Sequence, residues 1–207
     1  GWGGFAMTAA REFGAKVTSI TISEAQAKLA TERVAEAGLA DRVEIRLQDY
    51  RDVEGEFDRV ASIEMFEAVG ERYWPAYFQK VRSALKPDGM AGLQIITIHD
   101  AYFDTYRRGA DFIQQYIFPG GMLPSSAALG EQIQKVGLEI TDTVAFGRDY
   151  AKTLGIWGER FDAAWDRVCN LGFDERFRRL WRYYLGYCEA GFRTGSTDVL
   201  QLALRRS

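Results

Sequence analysis

Two carboxylates stand three residues apart in the run Ser62-Ile-Glu-Met-Phe-Glu-Ala-Val-Gly, at Glu64 and Glu67. They follow directly on Phe57–Ile63 (FDRVASI), which reads as a β-strand. They therefore fall at the carboxyl end of that strand, where open α/β sheets bind ligands. A carboxylate placed there can take or give a proton. Glu67 is the stronger candidate, Glu64 is its competitor, and the plain alternative is a surface acid at a helix start. A glycine cluster, Gly1-Trp-Gly-Gly, leads straight into a helical pattern over Phe5–Phe13. Such a turn normally carries the chain from a strand to a helix across a bound ligand, although alone it equally describes a tight turn. The sulfur and imidazole chemistry is sparse: Cys169, Cys188 and His99 are the whole inventory. That excludes a His-rich metal site and a disulfide framework, and points to a reducing compartment. Cys188, on a helix among aromatic residues, reads as a small core residue before it reads as a reactive thiol.

The elements that would position these groups alternate. Val17–Ile22, Arg42–Gln48, Phe57–Ile63 and Met90–Ile98 read as strands, with helices over Ser23–Gly38 and Trp74–Leu85 between them. Ser23-Glu-Ala-Gln is a capping-box pattern, Gly38 a natural helix stop, and Pro75 sits in a first turn. Strands separated by helices of this length imply βαβ units and a mostly parallel sheet with helices on both faces. Asp100–Pro124 departs from the alternation: it is aromatic and carries Ile117-Phe-Pro-Gly-Gly-Met-Leu-Pro, which suits a helical insertion over a pocket or a crossover loop. A helix over Ser125–Val136, a strand over Leu138–Phe146, amphipathic helices over Asp149–Cys169 and Asp174–Phe192, and a strand over Asp198–Leu204 complete the pattern. No repeat or linker interrupts it, so residues 1–207 read as one domain.

Composition narrows the partners. The 207 residues are 47% hydrophobic and 27% charged, too apolar for a disordered chain. A net charge of −3 argues against a dedicated nucleic-acid binder. The charge is uneven: Arg160–Ser207 carries nine Arg against six acids. No apolar run is long enough to span a bilayer.

Six segments, in order, then resemble one family: Gly1-Trp-Gly-Gly-Phe-Ala, Val17-Thr-Ser-Ile-Thr-Ile-Ser-Glu-Ala-Gln, Gln48-Asp-Tyr-Arg-Asp, Phe66-Glu-Ala-Val-Gly, Tyr116-Ile-Phe-Pro-Gly-Gly-Met-Leu-Pro-Ser and Tyr150-Ala-Lys-Thr-Leu. The resemblance is to the cyclopropane-fatty-acyl-phospholipid synthases and mycolic acid cyclopropane synthases, and it covers essentially the whole chain. It implies a class I, Rossmann-like methyltransferase fold that uses S-adenosylmethionine as methyl donor. It also implies that the first strand of that fold lies ahead of Gly1. A chain without it is expected to fold poorly alone, because its neighbours would be left with unpaired backbone groups.

The resemblance assigns roles residue by residue. Gly1, Trp2 and Gly3 match the glycine loop beside the methionine part of the cofactor. Thr21, Ser23 and Gln26 match the ribose contacts, with hydroxyls and an amide where most such folds place an acid; Ser23 and Gln26 equally serve as the capping box. Asp49, Tyr50 and Arg51 match the adenine segment. Glu67, Gln94, Ile96 and Tyr150 match the residues around a bicarbonate ion that acts as base, and Cys188 matches a cysteine proposed as nucleophile or base. Gln94 stands where the family has a histidine, and it can hold an anion but cannot accept a proton as imidazole does. The implied substrate is the cis double bond of an unsaturated phospholipid acyl chain, attacking the sulfonium methyl to give a carbocation. Ring closure, a methyl branch or a methylene group are its three exits. Tyr116, Phe118 and Tyr150 could stabilise the cation. Arg176, Arg178, Arg179 and Arg182 form either a solvated helix face or a contact for anionic headgroups. The expected setting is cytoplasmic, peripheral to the inner membrane face, with a homodimer among the open assemblies. A non-catalytic lipid- or cofactor-binding relative and a methyltransferase for a small soluble acceptor are the rivals.

Overall fold

The computed structural model describes residues 1–206 and divides the chain into two compact units, Gly1–Gly55 and the residues from Glu56 onward. In the first unit, α1 (Gly4–Phe13), β1 (Val17–Thr21), α2 (Glu24–Glu36) and β2 (Val43–Leu47) form a βαβ unit with a leading helix. The two strands run parallel, with Val17 opposite Val43 and Thr21 opposite Leu47. Ala6, Ala10, Val34 and Val43 make its small core, flanked by Met7, Val17, Leu39 and Ile45. Ser23 caps α2 by accepting from the Gln26 amide, and Gly38 takes a left-handed conformation (φ 66°) just past the helix end.

In the second unit the order is β3 (Phe57–Ile63), α3 (Trp74–Ser83), β4 (Leu85–Ile98), α4 (Asp100–Tyr106), α5 (Phe112–Tyr116), α6 (Ser126–Lys135), β5 (Leu138–Ala145), α7 (Gly147–Ala163), α8 (Trp165–Asn170), α9 (Glu175–Thr194) and β6 (Thr197–Arg206). These strands lie in the order β3-β4-β6-β5. β3 and β4 are parallel, whereas β6 is antiparallel to both its neighbours. The expected mostly parallel sheet is therefore a mixed one, because the chain re-enters between β4 and β5 after its long helical excursion. The expected helical insertion after β4 is present as α4 and α5.

One boundary moved for a clear reason. The sequence places Leu85 at the end of the helix over Trp74–Leu85, but Leu85 already pairs with Phe57, and the next pair is Arg59 with Met90. The four residues between loop out of the strand, with Asp88 left-handed at φ 61°. β4 then alternates strictly. Ala91, Leu93, Ile95 and Thr97 are buried on one face. Ile96, on the other, packs against Ala151, Leu154, Leu185, Phe192 and Val199. Phe66, Trp74, Tyr77 and Phe78 form an aromatic cluster beside β3, with Phe66 stacked on Trp74, tilted against Tyr77 and Phe78, and ring centroids about 5 Å apart. That cluster is fully buried, so it anchors the turn that carries Glu64 and Glu67.

Candidate active site

The end of β3 gathers the carboxylates. Ile63 pairs with Gln94, and the Glu64 amide donates to the Gln94 carbonyl at 2.9 Å, so register alone puts Glu64 beside Gln94. Gln94 donates its side-chain amide to one Glu64 oxygen at 2.8 Å, and the Tyr150 hydroxyl donates to the other at 2.9 Å. Gln201, opposite Gln94 on β6, donates to the Gln94 side-chain carbonyl at 2.9 Å. That bond fixes which end of the Gln94 amide faces Glu64. Glu64 itself is left-handed at φ 50°. A non-glycine residue held there costs about 1–2 kcal/mol, and such strain persists where surrounding structure over-determines it.

Tyr150 is placed by the start of α7. The Gly147 amide donates to the Asp198 carboxylate at 2.8 Å, and a Cβ on Gly147 would come within 2.6 Å of that same oxygen. Only glycine allows the helix to begin so close to β6. One turn later Tyr150 packs on Phe192 (4.9 Å between centroids) and Trp157 (6.3 Å). Burial, with the Glu64 charge behind it, pushes the Tyr150 hydroxyl well above its ordinary range, so it remains a hydrogen-bond donor.

Of the residues that the resemblance groups with it, Glu67 meets Ile96. One oxygen accepts from the Ile96 backbone amide at 2.6 Å, while the other is buried with no hydrogen-bond partner among the described residues. Its own carbonyl accepts from Met122 at 2.8 Å, tying the Phe118–Gly121 turn to the acid. Burial raises the Glu67 pKa to about 7, partly offset by the Ile96 bond and reinforced by Glu64. The acid is thus poised to exchange a proton near neutral pH. Gln94 and Tyr150, expected beside Glu67 around a shared ion, converge on Glu64 instead. The Ile96 amide, expected to contact that ion, is engaged by Glu67.

Cys188 lies against the cluster of Ala151, Leu154, Leu185, Phe192 and Val199. Burial raises its thiol to about 12, which suits packing and leaves almost no thiolate to act as nucleophile or base. His99 caps α4, its Nδ1 accepting from the Ala101 amide at 3.2 Å. Of the aromatic candidates, Tyr116 and Phe118 are exposed, and Phe118 meets Tyr184 edge-on.

The first unit holds the nine cofactor candidates. Gly3 is left-handed at φ 88°, and a Cβ on it would press on Ala30 at 3.2 Å, so α2 itself demands glycine there. Among the described residues nothing lies within 4 Å of a Cβ on Gly1, and Trp2 is 49% exposed. At the end of β1, the Thr21 hydroxyl donates to the Gln26 side-chain carbonyl at 2.7 Å and accepts from the Ser23 amide at 3.1 Å. The Gln26 NH2 takes no part in that bond. Asp49 binds the Arg51 amide and guanidinium at 2.8–2.9 Å, which holds its carboxyl down at about 2. Tyr50 opens the short turn Tyr50–Asp52 between them. Hydroxyl, amide and glycine backbone make a donor set that fits the ribose and methionine parts of S-adenosylmethionine.

In the sequence Glu64 stands out only as the competitor of Glu67, and Gln201 belongs to no motif. The signal for Gln201 was a lone amide within the apolar strand Asp-Val-Leu-Gln-Leu-Ala-Leu.

The fold is that of the class I methyltransferases, here with a mixed sheet. Residues 1–202 match the family model for mycolic acid cyclopropane synthetase, and the chain belongs to that family. It is 47% identical over its whole length to tuberculostearic acid methyltransferase UfaA1 of Mycobacterium tuberculosis and 39% identical to cyclopropane-fatty-acyl-phospholipid synthase of Escherichia coli K12. It covers 48% and 51% of those proteins, so the chain spans about half the length of the curated relatives it matches. The crystal structure of mycolic acid cyclopropane synthase CmaA1 complexed with SAH and CTAB superposes with a TM-score of 0.91 at 29% identity, over 99% of this chain and 75% of that one.

Proposed function

We propose that this protein transfers a methyl group from S-adenosylmethionine to the cis double bond of an unsaturated phospholipid acyl chain, at the cytoplasmic face of a membrane. The observation that carries the reading is the carboxylate pair at the end of β3. Glu64 and Glu67 are joined to Gln94, Ile96 and Tyr150, and among the described residues no Lys, Arg or His enters their hydrogen bonds. Such a site suits a carbocation: acceptors for its proton, an aromatic ring close by, and no competing positive charge.

S-adenosylmethionine supplies an electrophilic methyl group on its sulfonium. Residues 1–55 would hold it through the Gly1–Gly3 backbone, Thr21, Gln26 and Tyr50. The alkene is the nucleophile, so the protein needs to orient both partners and keep water away from the cation. The resemblance to the family also suggests bicarbonate as base. Of the groups assigned to it, Gln94, Ile96 and Tyr150 already donate to Glu64 and Glu67, and two acids disfavour a third anion between them. The residues present do not fit a free bicarbonate held in that way.

Ring closure is the first reading of the product. A methyl branch or its methylene precursor is the second, favoured by Gln94 in the histidine position and by a 47% identical relative named for tuberculostearic acid. The test is mass spectrometry of lipids from cells expressing the gene and fed trideuteromethyl methionine. Monounsaturated chains should gain one labelled carbon; a ring or methylene keeps two of its deuteriums, and hydrogenation separates those two. No labelled chain, despite folded protein that binds S-adenosylmethionine, would overturn the reading in favour of a soluble acceptor or a non-catalytic relative.

A further inference from the structure

We propose that Glu64 is the proton acceptor of the reaction, a carboxylate built into the chain in the place assigned to an exogenous bicarbonate. The proposal rests on the acyl methyl-transfer reading above. Bicarbonate and a glutamate carboxylate present the same recognition chemistry, a planar anion with two oxygens to be met by N–H and O–H donors. In this chain those donors are the Gln94 amide and the Tyr150 hydroxyl, and each takes a different oxygen of Glu64, at 2.8 and 2.9 Å. The arrangement is reinforced from behind, because Gln201 holds the Gln94 carbonyl and so keeps its NH2 turned to the carboxylate. Gln94, Gln201 and Tyr150 are therefore positioning residues. The left-handed backbone at Glu64 adds a second observation: a glycine would sit there without strain, and a glutamate is held instead. Glu67, on the same turn, is turned away to the Ile96 amide and meets Met122 through its carbonyl.

The step balances without a further reagent. The π pair of the alkene forms the new C–C bond as the S–CH3 bond breaks, and the electrons of that bond stay on sulfur. The cation then loses a proton to a Glu64 oxygen. If the proton leaves the transferred methyl, the C–H pair closes a cyclopropane; if a hydride shifts first, the same loss leaves a methylene group. Glu64 becomes a neutral acid and returns its proton to solvent.

The test uses the full purified protein, S-adenosylmethionine and vesicles of a monounsaturated phospholipid, in carbonate-free buffer under argon and again with added bicarbonate. The unsubstituted protein should turn over equally in both. Glu64→Gly, which keeps the backbone that φ 50° prefers, should lose about 100-fold or more without bicarbonate and recover saturably as it is added. Glu64→Gln fills the site with an amide that cannot take the proton, and should stay inactive in both buffers. Cofactor binding by calorimetry should be unchanged in each variant. Turnover of the unsubstituted protein that collapses without bicarbonate, or a glycine variant fully active without it, would overturn the proposal and leave the lipid reading standing. No product from the unsubstituted protein in either buffer would overturn both.

Discussion

The Tyr150 hydroxyl reaches across 86 residues of sequence to Glu64 and donates to it at 2.9 Å. Removing that donor isolates its contribution. Tyr150→Phe keeps the ring against Phe192 and Trp157 and deletes one bond to a carboxylate. Hydrogen bonds to charged groups are worth about 1.5–3 kcal/mol, so kcat should fall roughly 10- to 100-fold. The affinity for S-adenosylmethionine, measured by calorimetry, should not move. Equal losses in both would mean that Tyr150 acts through the fold.

Glu67 predicts the pH dependence of stability. Its folded pKa, about 7, lies above the ordinary value of 4.5. Between those values the folded protein binds more protons than the unfolded chain, so this group makes stability fall as pH rises through that window. The loss totals on the order of 3 kcal/mol. Glu67→Gln removes the titration. Urea unfolding at pH 5 and pH 8 should show a smaller decline for the variant than for the parent, and the variant should be the more stable at pH 8. A decline of equal size in both would sink the assignment.

Gly1 and Gly3 separate packing from ligand approach. Gly3→Ala must hold alanine at φ 88° against Ala30, and should cost at least about 1–2 kcal/mol of stability, read from urea unfolding. Among the described residues nothing lies within 4 Å of a Cβ on Gly1, so Gly1→Ala should leave stability within about 0.5 kcal/mol of the parent. Any loss of S-adenosylmethionine affinity in that variant then reports backbone approach to the ligand. An unchanged affinity would remove Gly1 from the binding loop.

These contrasts show what a linear reading can reach. The strands and helices were legible because their periods and caps are local: Ser23 caps α2, Gly38 ends it, and β4 alternates. The Lys86–Gly89 bulge was not, since a turn signal cannot tell a strand's interior from its start until Leu85 finds Phe57. The direction of β6 was hidden for the same reason. Glu67 was legible from its place just after the Phe57–Ile63 strand, but Tyr150 and Gln94 only through family likeness. The identity of their hub was not, because Glu64 receives donors from β4 and α7, and those meetings depend on register and helix placement. Gln201 acts through Gln94 and carries no motif of its own.

The same distinction between paired and unpaired groups sorts the basic residues of α9. Arg182 pairs with Asp162 at 3.4 Å, and Arg178 lies over Trp165 at 5.0 Å and meets Glu175 at 3.5 Å. Arg176 and Arg179 are exposed, and no acid lies within ion-pair distance of either among the described residues. If this face meets anionic headgroups, the two unpaired residues should carry most of the attraction, about 1 kcal/mol each. Sedimentation with anionic vesicles should then show partitioning reduced about 30-fold per residue in Arg176→Glu and Arg179→Glu, since reversal removes one attraction and adds a comparable repulsion, with a shallower dependence on salt. Arg182→Glu should weaken it less, because the parent side chain is already committed to Asp162. Equal binding by all three variants and the parent would assign the face to solvent and move the lipid contact elsewhere on the protein.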